Sequence, residues 1–598
     1  MKYTRLLLSL FSFFIFLSLA YSVQATNYYI SPTGNDVNNG TSESTPIRNF
    51  TKAWQLLFPG DTLILLDGTY YQTMAPNVRD GASNPNIDTS DYITYPLDHP
   101  LRTKNYITIK AKNDGKAIID GQNQRLTVLL GYYTQNWKGH YFILEGLVAK
   151  NSTEDVYFVM SHNVIIRRSS GFNASTDRNT HVFTTWTDGN PSDPSNILLE
   201  DNFASGTGRK MFVAYASYVN VVFRRNVGLW RDWRGAIDCQ NHWPTGDNIE
   251  IYNWDQPDLS NYPKLLGNSI VENNIALGGT PMYGISLSPN PAMTRENNFL
   301  GNISIWAGMQ LGGTPRTWNC SDIPSSCQPL TCTKFTEWHA QRAGFNFGVY
   351  SHPTYINNTF RDLFAWGNGG VGLSAGEPPD STGWNSSSRN NILEHLTLAN
   401  NGLGSPPPQE GAGTEITDNP SLRMFQTYGQ LSNLYIEGDS RYPNKNAGAR
   451  LRYRYVNGTL TNQELWPWPM EQRIKDELAR EFGIQNFSVT NTIVPLINQH
   501  TAVQVPLTPT PTGPTSTPQP TNTTTPTSIP PTNTPSPTPV SVPGDVNGDG
   551  SVDLSDLSIL LSNYGKSDMQ RINGDLNNDT NVNLSDLSQL LANFGKSG

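Results

Sequence analysis

At 598 residues the chain is too long for one ordinary domain, so two or three folded units are expected. Its formal net charge is −9, and the Asp-rich last stretch carries most of the excess, which argues against a nucleic-acid partner. Only 15% of residues are charged while Gly, Asn, Ser, Thr and aromatic residues are plentiful, a balance that favours a β-rich extracellular protein over a helical cytosolic one.

The chain opens with a secretion signal, Met1 to Ala25. Lys2 and Arg5 give the positive start, Leu6 to Ala20 the apolar run, and Val23-Gln24-Ala25 a small-residue cleavage site. The apolar run is shorter than the roughly 20 residues of a membrane span, and no other segment could cross a bilayer. The mature protein is expected to be secreted, extracellular or held at the cell surface. Four cysteines fit an oxidising address: Cys320, Cys327 and Cys332 crowd one insertion and Cys239 stands apart. They allow three connectivities, of which one bridge within the insertion is expected.

Residues 27–70 begin with a strand, Tyr28-Tyr29-Ile30, and a turn-rich stretch from Ser31 to Thr45. Phe50, Trp54, Leu57 and Phe58 then recur at helical spacing, and Pro59-Gly60-Asp61 turns the chain into the apolar run Thr62 to Tyr70. This run resembles the N-terminal cap of secreted right-handed parallel β-helix proteins, many of them polysaccharide lyases. The resemblance speaks for the fold and not for the chemistry. The middle of the chain supports it by repetition. Short β runs return at Tyr106–Lys110, Phe142–Leu144, Asn163–Arg168, Asn196–Glu200, Asn220–Arg225, Asn248–Ile251, Ser269–Glu272, Asn298–Leu300, Asn391–Glu394 and Leu434–Ile436. Spacings such as 24, 28 and 21 residues suit single solenoid coils with loops of varying length, and Asn can bond its stacked neighbours at a bend. The expected fold is mainly β, a right-handed parallel β-helix over residues 26–463. Hairpin turns, which a sandwich or propeller would need, are not evident.

No compact catalytic motif interrupts this solenoid, so the candidate site comes from stacking. At a 24-residue offset, Arg209–Tyr215 aligns with Trp233–Cys239. Lys210 then lies over Arg234 and Ala214 over Asp238, and period-2 alternation turns Lys210, Arg234 and Asp238 outward, with Met211, Val213 and Tyr215 inward. Asp155 and His181 fall near the same edge two and one coils earlier, and Arg231, Asp232, Trp233 and His242 flank it. Cations and aromatic rings on one outward face suit an acidic or neutral glycan. For an eliminating lyase, Lys210 is the candidate base, with Arg209 and Arg234 holding a uronate carboxylate. For a hydrolase, Asp155 and Asp238 would be acid and base. A further calcium ion in the groove is conceivable, and an ordinary solvated face is the competing reading.

Residues 312–352 and 375–388 interrupt the rhythm as insertions that could wall a groove. Near 464–505, Ile474, Leu478 and Phe482 share one helix face and Gly483 ends it, which reads as a C-terminal cap or an appendage on the last coil. Residues 506–543 hold 13 prolines and no charge, and form an extended spacer.

The last stretch, 544–598, contains one sentence twice. Asp545, Asn547, Asp549, Asp553 and Asp556 occupy positions 1, 3, 5, 9 and 12 of a loop, with Ser551 offering its carbonyl at position 7 and Gly550 making the sharp turn. Thirty residues on, Asp575, Asn577, Asp579, Asn581, Asn583 and Asp586 repeat the set, with Thr580 in the place of Gly550. The second loop should bind more weakly, because it has one carboxylate fewer and a strained turn. A short apolar helix follows each loop and ends at Tyr564-Gly565 and Phe594-Gly595. Two half EF-hands at this spacing resemble a type I dockerin. Positions 10 and 11 are Leu554-Ser555 and Leu584-Ser585, where cellulosomal dockerins often carry Ser-Thr, so the cohesin class stays open. The resemblance implies two calcium ions, docking onto a cohesin domain of a scaffold protein, and a polysaccharide-degrading cargo. An eliminating lyase on an acidic glycan is the first expectation; a β-helix glycoside hydrolase, or a non-catalytic glycan-binding or adhesive protein, are the alternatives.

Overall fold

A computed structural model describes residues 25–75, 106–130, 141–160, 162–175, 180–186, 196–215, 220–232, 237–238, 243–244, 247–253, 265–286, 293–313, 343–347, 354–375, 389–402, 422–424, 429–443, 454–456, 459–461, 470–500, 543–547, 551–552, 554–564, 566–567, 569–594 and 596. The leader, the four cysteines, most of the Pro/Thr spacer and Arg234 lie outside them. The chain divides into two units, Met1–Thr510 and Pro511–Gly598.

The first unit is a parallel β-helix. One coil shows the plan: Ile197–Glu200, a two-residue bend, Phe203–Thr207, and then Lys210–Tyr215. Each of the three strands pairs in parallel with its counterpart one coil away, giving sheets that we number I, II and III in that order. Sheet I starts at Asn27–Ile30, and sheet III runs from Val128–Leu130 to Leu422–Met424 as a nine-stranded stack. Sheets I and II merge through the long strand Asn391–Ala399, which spans both, into one 21-stranded sheet.

Two sequence features make this stacking specific. The bend between sheets I and II opens with a residue in the left-handed region in coil after coil: Arg168, Asp201, Arg225, Asn273 and Asp362, with φ between 47° and 57°. The residue after it is often Asn. Asn202, Asn226, Asn274 and Asn302 form a ladder, each amide nitrogen bonding the next carbonyl oxygen at 3.0 Å. A second ladder, Asn297–Asn358–Asn391, guards the start of sheet I. These side chains are buried, so each unmade bond would cost about 1–3 kcal/mol, and the ladder fixes which coil lies over which.

Sheet I also carries an alternating-charge ladder at the last position of its strands. The register runs Lys110, Glu145, Arg167, Glu200, Arg224, Glu272, Leu300, Arg361, Glu394. Arg167 pairs with Glu145 at 2.8 Å, and Arg225, one residue past its rung, holds Glu200 at 2.7 Å and Asp201 at 2.6 Å.

The helix Glu471–Phe482 exists as expected, with Gly483 at φ 66° closing it, but it does not cap the last coil. It lies along sheet II. Met470, Ile474 and Leu478 join a cluster with Val148, Phe172, Phe203, Val227, Ile275, Ile303 and Phe364. Arg473 donates to the carbonyl of Leu147 at 2.9 Å, Ser170 donates to Glu477 at 2.6 Å, and Lys150 meets Glu481 at 3.1 Å. Further along, His500 accepts from the Trp366 indole at 3.2 Å. A row of apolar side chains on the outer side of sheet II needs covering, and this segment covers it; its own i, i+4 pattern does not disclose which surface it will meet.

The second unit is a pair of loop–helix repeats, with helices Leu554–Asn563 and Leu584–Asn593. Its core takes equivalent residues from each repeat: Val546 and Leu576, Val552 and Val582, Leu560 and Leu590. Gly574 has φ 104°, and a Cβ there would sit 2.7 Å from the Leu560 Cα, so both the turn and the packing require glycine.

Candidate functional sites

On sheet III the true coil partner of Lys210–Tyr215 is Asp247–Asn253, in the register Lys210↔Asp247, and not Trp233–Cys239. The 24-residue offset holds on sheet I, where Ile197 pairs with Val221, but fails here because a long loop intervenes. Ile237–Asp238 pairs with Trp243–Pro244 as a short antiparallel hairpin inside that loop. Asp238 therefore does not stack on Ala214, and Arg234 lies outside the described residues.

The outward assignment of Lys210 also fails, whereas Met211 and Val213 are buried as expected. Phe212 stacks on Phe183 at 4.9 Å, and Phe183 on Tyr157 at 4.4 Å, as part of the core. Lys210 shares the parity of Phe212 and is only 1% exposed, so it does not face solvent.

What the fold does assemble is a column on successive rungs at the entry to sheet III. His181 and Lys210 are register partners, and the Asp155 carboxylate accepts the His181 amide at 2.6 Å. Asp155 is 6% and His181 2% exposed. Burial pushes the Asp155 carboxyl up to about 7, against the opposing pull of the Thr184 hydroxyl, the His181 amide and the Lys210 charge. Burial, together with Lys210 and Arg209, holds the His181 imidazole well below its ordinary range. Arg209 is half-buried and ties its amide to the Thr180 carbonyl at 2.7 Å. Of the six expected residues, then, Asp155, His181, Lys210 and Arg209 come together. Asp247 belongs on the next rung and escaped the sequence reading; its signal was a strand opening with an acid, visible only once the coil length was known.

In the second unit, loop two gathers the Asp575, Asp579 and Asp586 carboxylates within 4.8 Å of one another, an oxygen-only donor set that fits a hard divalent cation. Asp586, fully buried, accepts the amides of Leu576 at 2.8 Å and Asn583 at 2.9 Å, which locks the end of the loop to its start. Asp556 does the same in loop one, accepting from Val546 and Asn547. The Asn581 amide and the Asn577 side chain hold the Asp579 carboxyl below its usual range. Thr580 stands at φ 69°, where a β-branched residue is strained. Asp549, Gly550 and Asp553 of loop one lie outside the described residues.

Comparison with known proteins matches each unit differently. A stretch of 153 residues is 26% identical to Pectate lyase L of Dickeya dadantii, covering 25% of this chain and 32% of that protein. The chain thus spans about a third of that curated relative's length. Among solved structures, pectate lyase Pel9A is similar with a TM-score of 0.34 and 13% identity, over 69% of this chain and 76% of the other. A mannuronic acid specific polysaccharide family 6 lyase from human gut microbiota is similar with a TM-score of 0.32 and 13% identity, over 69% and 88%. Residues 543–594 match the family described as "Dockerin type I domain", whose members bind calcium. The chain is a parallel β-helix with a type I dockerin domain at its C-terminus.

Proposed function

We propose that this is an extracellular polysaccharide lyase acting on an acidic glycan, held through its dockerin on a cohesin-bearing scaffold. The observation that carries the reading is the 153-residue match to Pectate lyase L in a chain that also bears a dockerin. Lys210 is the proposed base, with Arg209 and Arg234 neutralising the carboxylate beside the carbon that loses its proton. A buried amine is the kind that sheds its charge and can then accept a proton. Asp155 and Asp238 are not brought onto neighbouring strands, which disfavours the hydrolase pairing. The near-complete burial of Lys210 and Asp155 supports a second reading, a non-catalytic glycan-binding module.

The test is a screen of the full chain with calcium against pectin, alginate, chondroitin and xylan, following ultraviolet absorbance and reducing ends. New absorbance that Lys210→Ala abolishes is the expected result. Reducing ends without absorbance overturn the lyase, and binding without either product favours the glycan-binding module.

In the dockerin we assign one calcium ion to Asp545, Asn547, Asp549, Ser551, Asp553 and Asp556, and a second to Asp575, Asn577, Asp579, Asn581, Asn583 and Asp586. A chelator should abolish cohesin binding. Thr580→Gly, by relieving the turn, should tighten the weaker of two calcium steps in calorimetry; an unchanged weak step refutes the assignment of strain to that loop.

A further inference from the structure

The entry to sheet III places an acid, an imidazole and an amine on three successive rungs, all sealed from water. Asp155 touches the His181 backbone directly, and His181 is the register partner of Lys210. Rungs are about 4.8 Å apart, so Asp155 and Lys210 are separated by roughly 10 Å. Among the described residues, the charged groups placed with them include Glu154 beside Asp155 on its own loop, Arg209 beside Lys210, and Asp247 at the next register position.

We propose that Asp155 governs the charge on Lys210 across the intervening His181 rung, so that Asp155 and Lys210 titrate as a pair and Asp155 is a positioning residue for the amine. The physical basis is separation without screening. All three side chains are nearly closed to water, and burial together with two cations disfavours protonation of His181 on the rung between them. At an effective dielectric near 20, opposite charges roughly 10 Å apart shift each other by about one pKa unit. The ion pair and its neutral counterpart then carry the same net charge, and the two protons leave in steps that belong to the pair. An ionised Asp155 retains the proton on Lys210, whereas a neutral Asp155 lets the amine discharge.

This inference rests on the proposed lyase reading only in calling Lys210 a base; the coupling itself is independent of catalysis. The experiment is nuclear magnetic resonance titration of the full chain with lysine labelled at Cε, assigning Lys210 by its loss in Lys210→Met. Asp155→Asn should lower the Lys210 midpoint by about one unit, and Asp155→Glu should restore it. Reciprocally, Lys210→Met should raise the pH at which the protonated-carboxyl infrared band of Asp155 disappears, a readout that survives if Asp155→Asn fails to fold. A Lys210 midpoint unmoved in Asp155→Asn, or an infrared midpoint unmoved in Lys210→Met, overturns the proposal. A moved midpoint in a protein silent on every polysaccharide upholds the coupling and removes the enzyme reading instead.

Discussion

The solenoid holds two ladders of ionisable side chains, and they behave oppositely. On sheet I, charges alternate in sign along the register and remain in reach of water at many rungs; Arg167 is 38% exposed at its side chain. At the entry to sheet III, Asp155, His181 and Lys210 are sealed from water. On the first ladder, burial pushes the Glu145 carboxyl up, but Arg167 and Arg168 outweigh it and hold Glu145 below its ordinary range. On the second, burial wins and Asp155 rises to about 7. Stacking alone does not make a proton-exchanging site. Desolvation does, where it exceeds what the neighbouring charge returns.

The largest expected effect comes from a buried ion pair beside the sheet I ladder. Arg225, 5% exposed, satisfies Glu200 and Asp201 together. Arg225→Met should leave two poorly solvated carboxylates without their cation, at a cost of about 3–5 kcal/mol in thermal or denaturant unfolding. A loss under 1 kcal/mol would show that Arg224, 3.6 Å from Glu200, takes over the pairing.

Next comes the sign contrast. Asp155 has a folded pKa of about 7 against 3.8 for the free side chain, so the native state holds more protons between those values and stability declines as pH rises through them. Asp155→Asn should therefore stabilise the protein at pH 8 by up to about 4 kcal/mol and change little near pH 4. Glu145 has the reverse slope: its depressed pKa contributes stability that is lost as pH falls. Melting curves across pH would check both. Equal effects of Asp155→Asn at the two ends would mean that burial does not hold the proton.

The two ladders also mark what the sequence discloses. The Asn residues that open and close the β runs proved to be the bend ladders, because a two-residue bend leaves no room for variation. The repeated loops of the dockerin are equally tight and equally legible. Sheet III is not, because the loop ahead of it varies freely, and a 24-residue coil measured on sheet I misplaces Asp238. Alternation fails at Lys210 for another reason: every residue from Lys210 to Ala214 is buried, so a period-2 pattern does not pick out a solvent face. Charged residues near the ends of many sheet I runs are in plain view, at Glu200, Arg224, Glu272 and Glu394, yet only register turns those residues into a ladder.

The smallest effect tests the comparison most sharply. Arg361 pairs with Glu394 at the far end of the same ladder, with side chains 36% and 20% exposed. If exposure sets the energy, Arg361→Ala should cost less than about 1 kcal/mol, and that cost should shrink further in 1 M salt, where screening acts within about 3 Å. Arg225→Met, in contrast, should hardly respond to salt, since ions do not reach its pocket. A cost at Arg361 equal to that at Arg225 would mean that the rungs act as one network whose strength is shared along the axis. Burial would then lose its place as the property separating the two ladders.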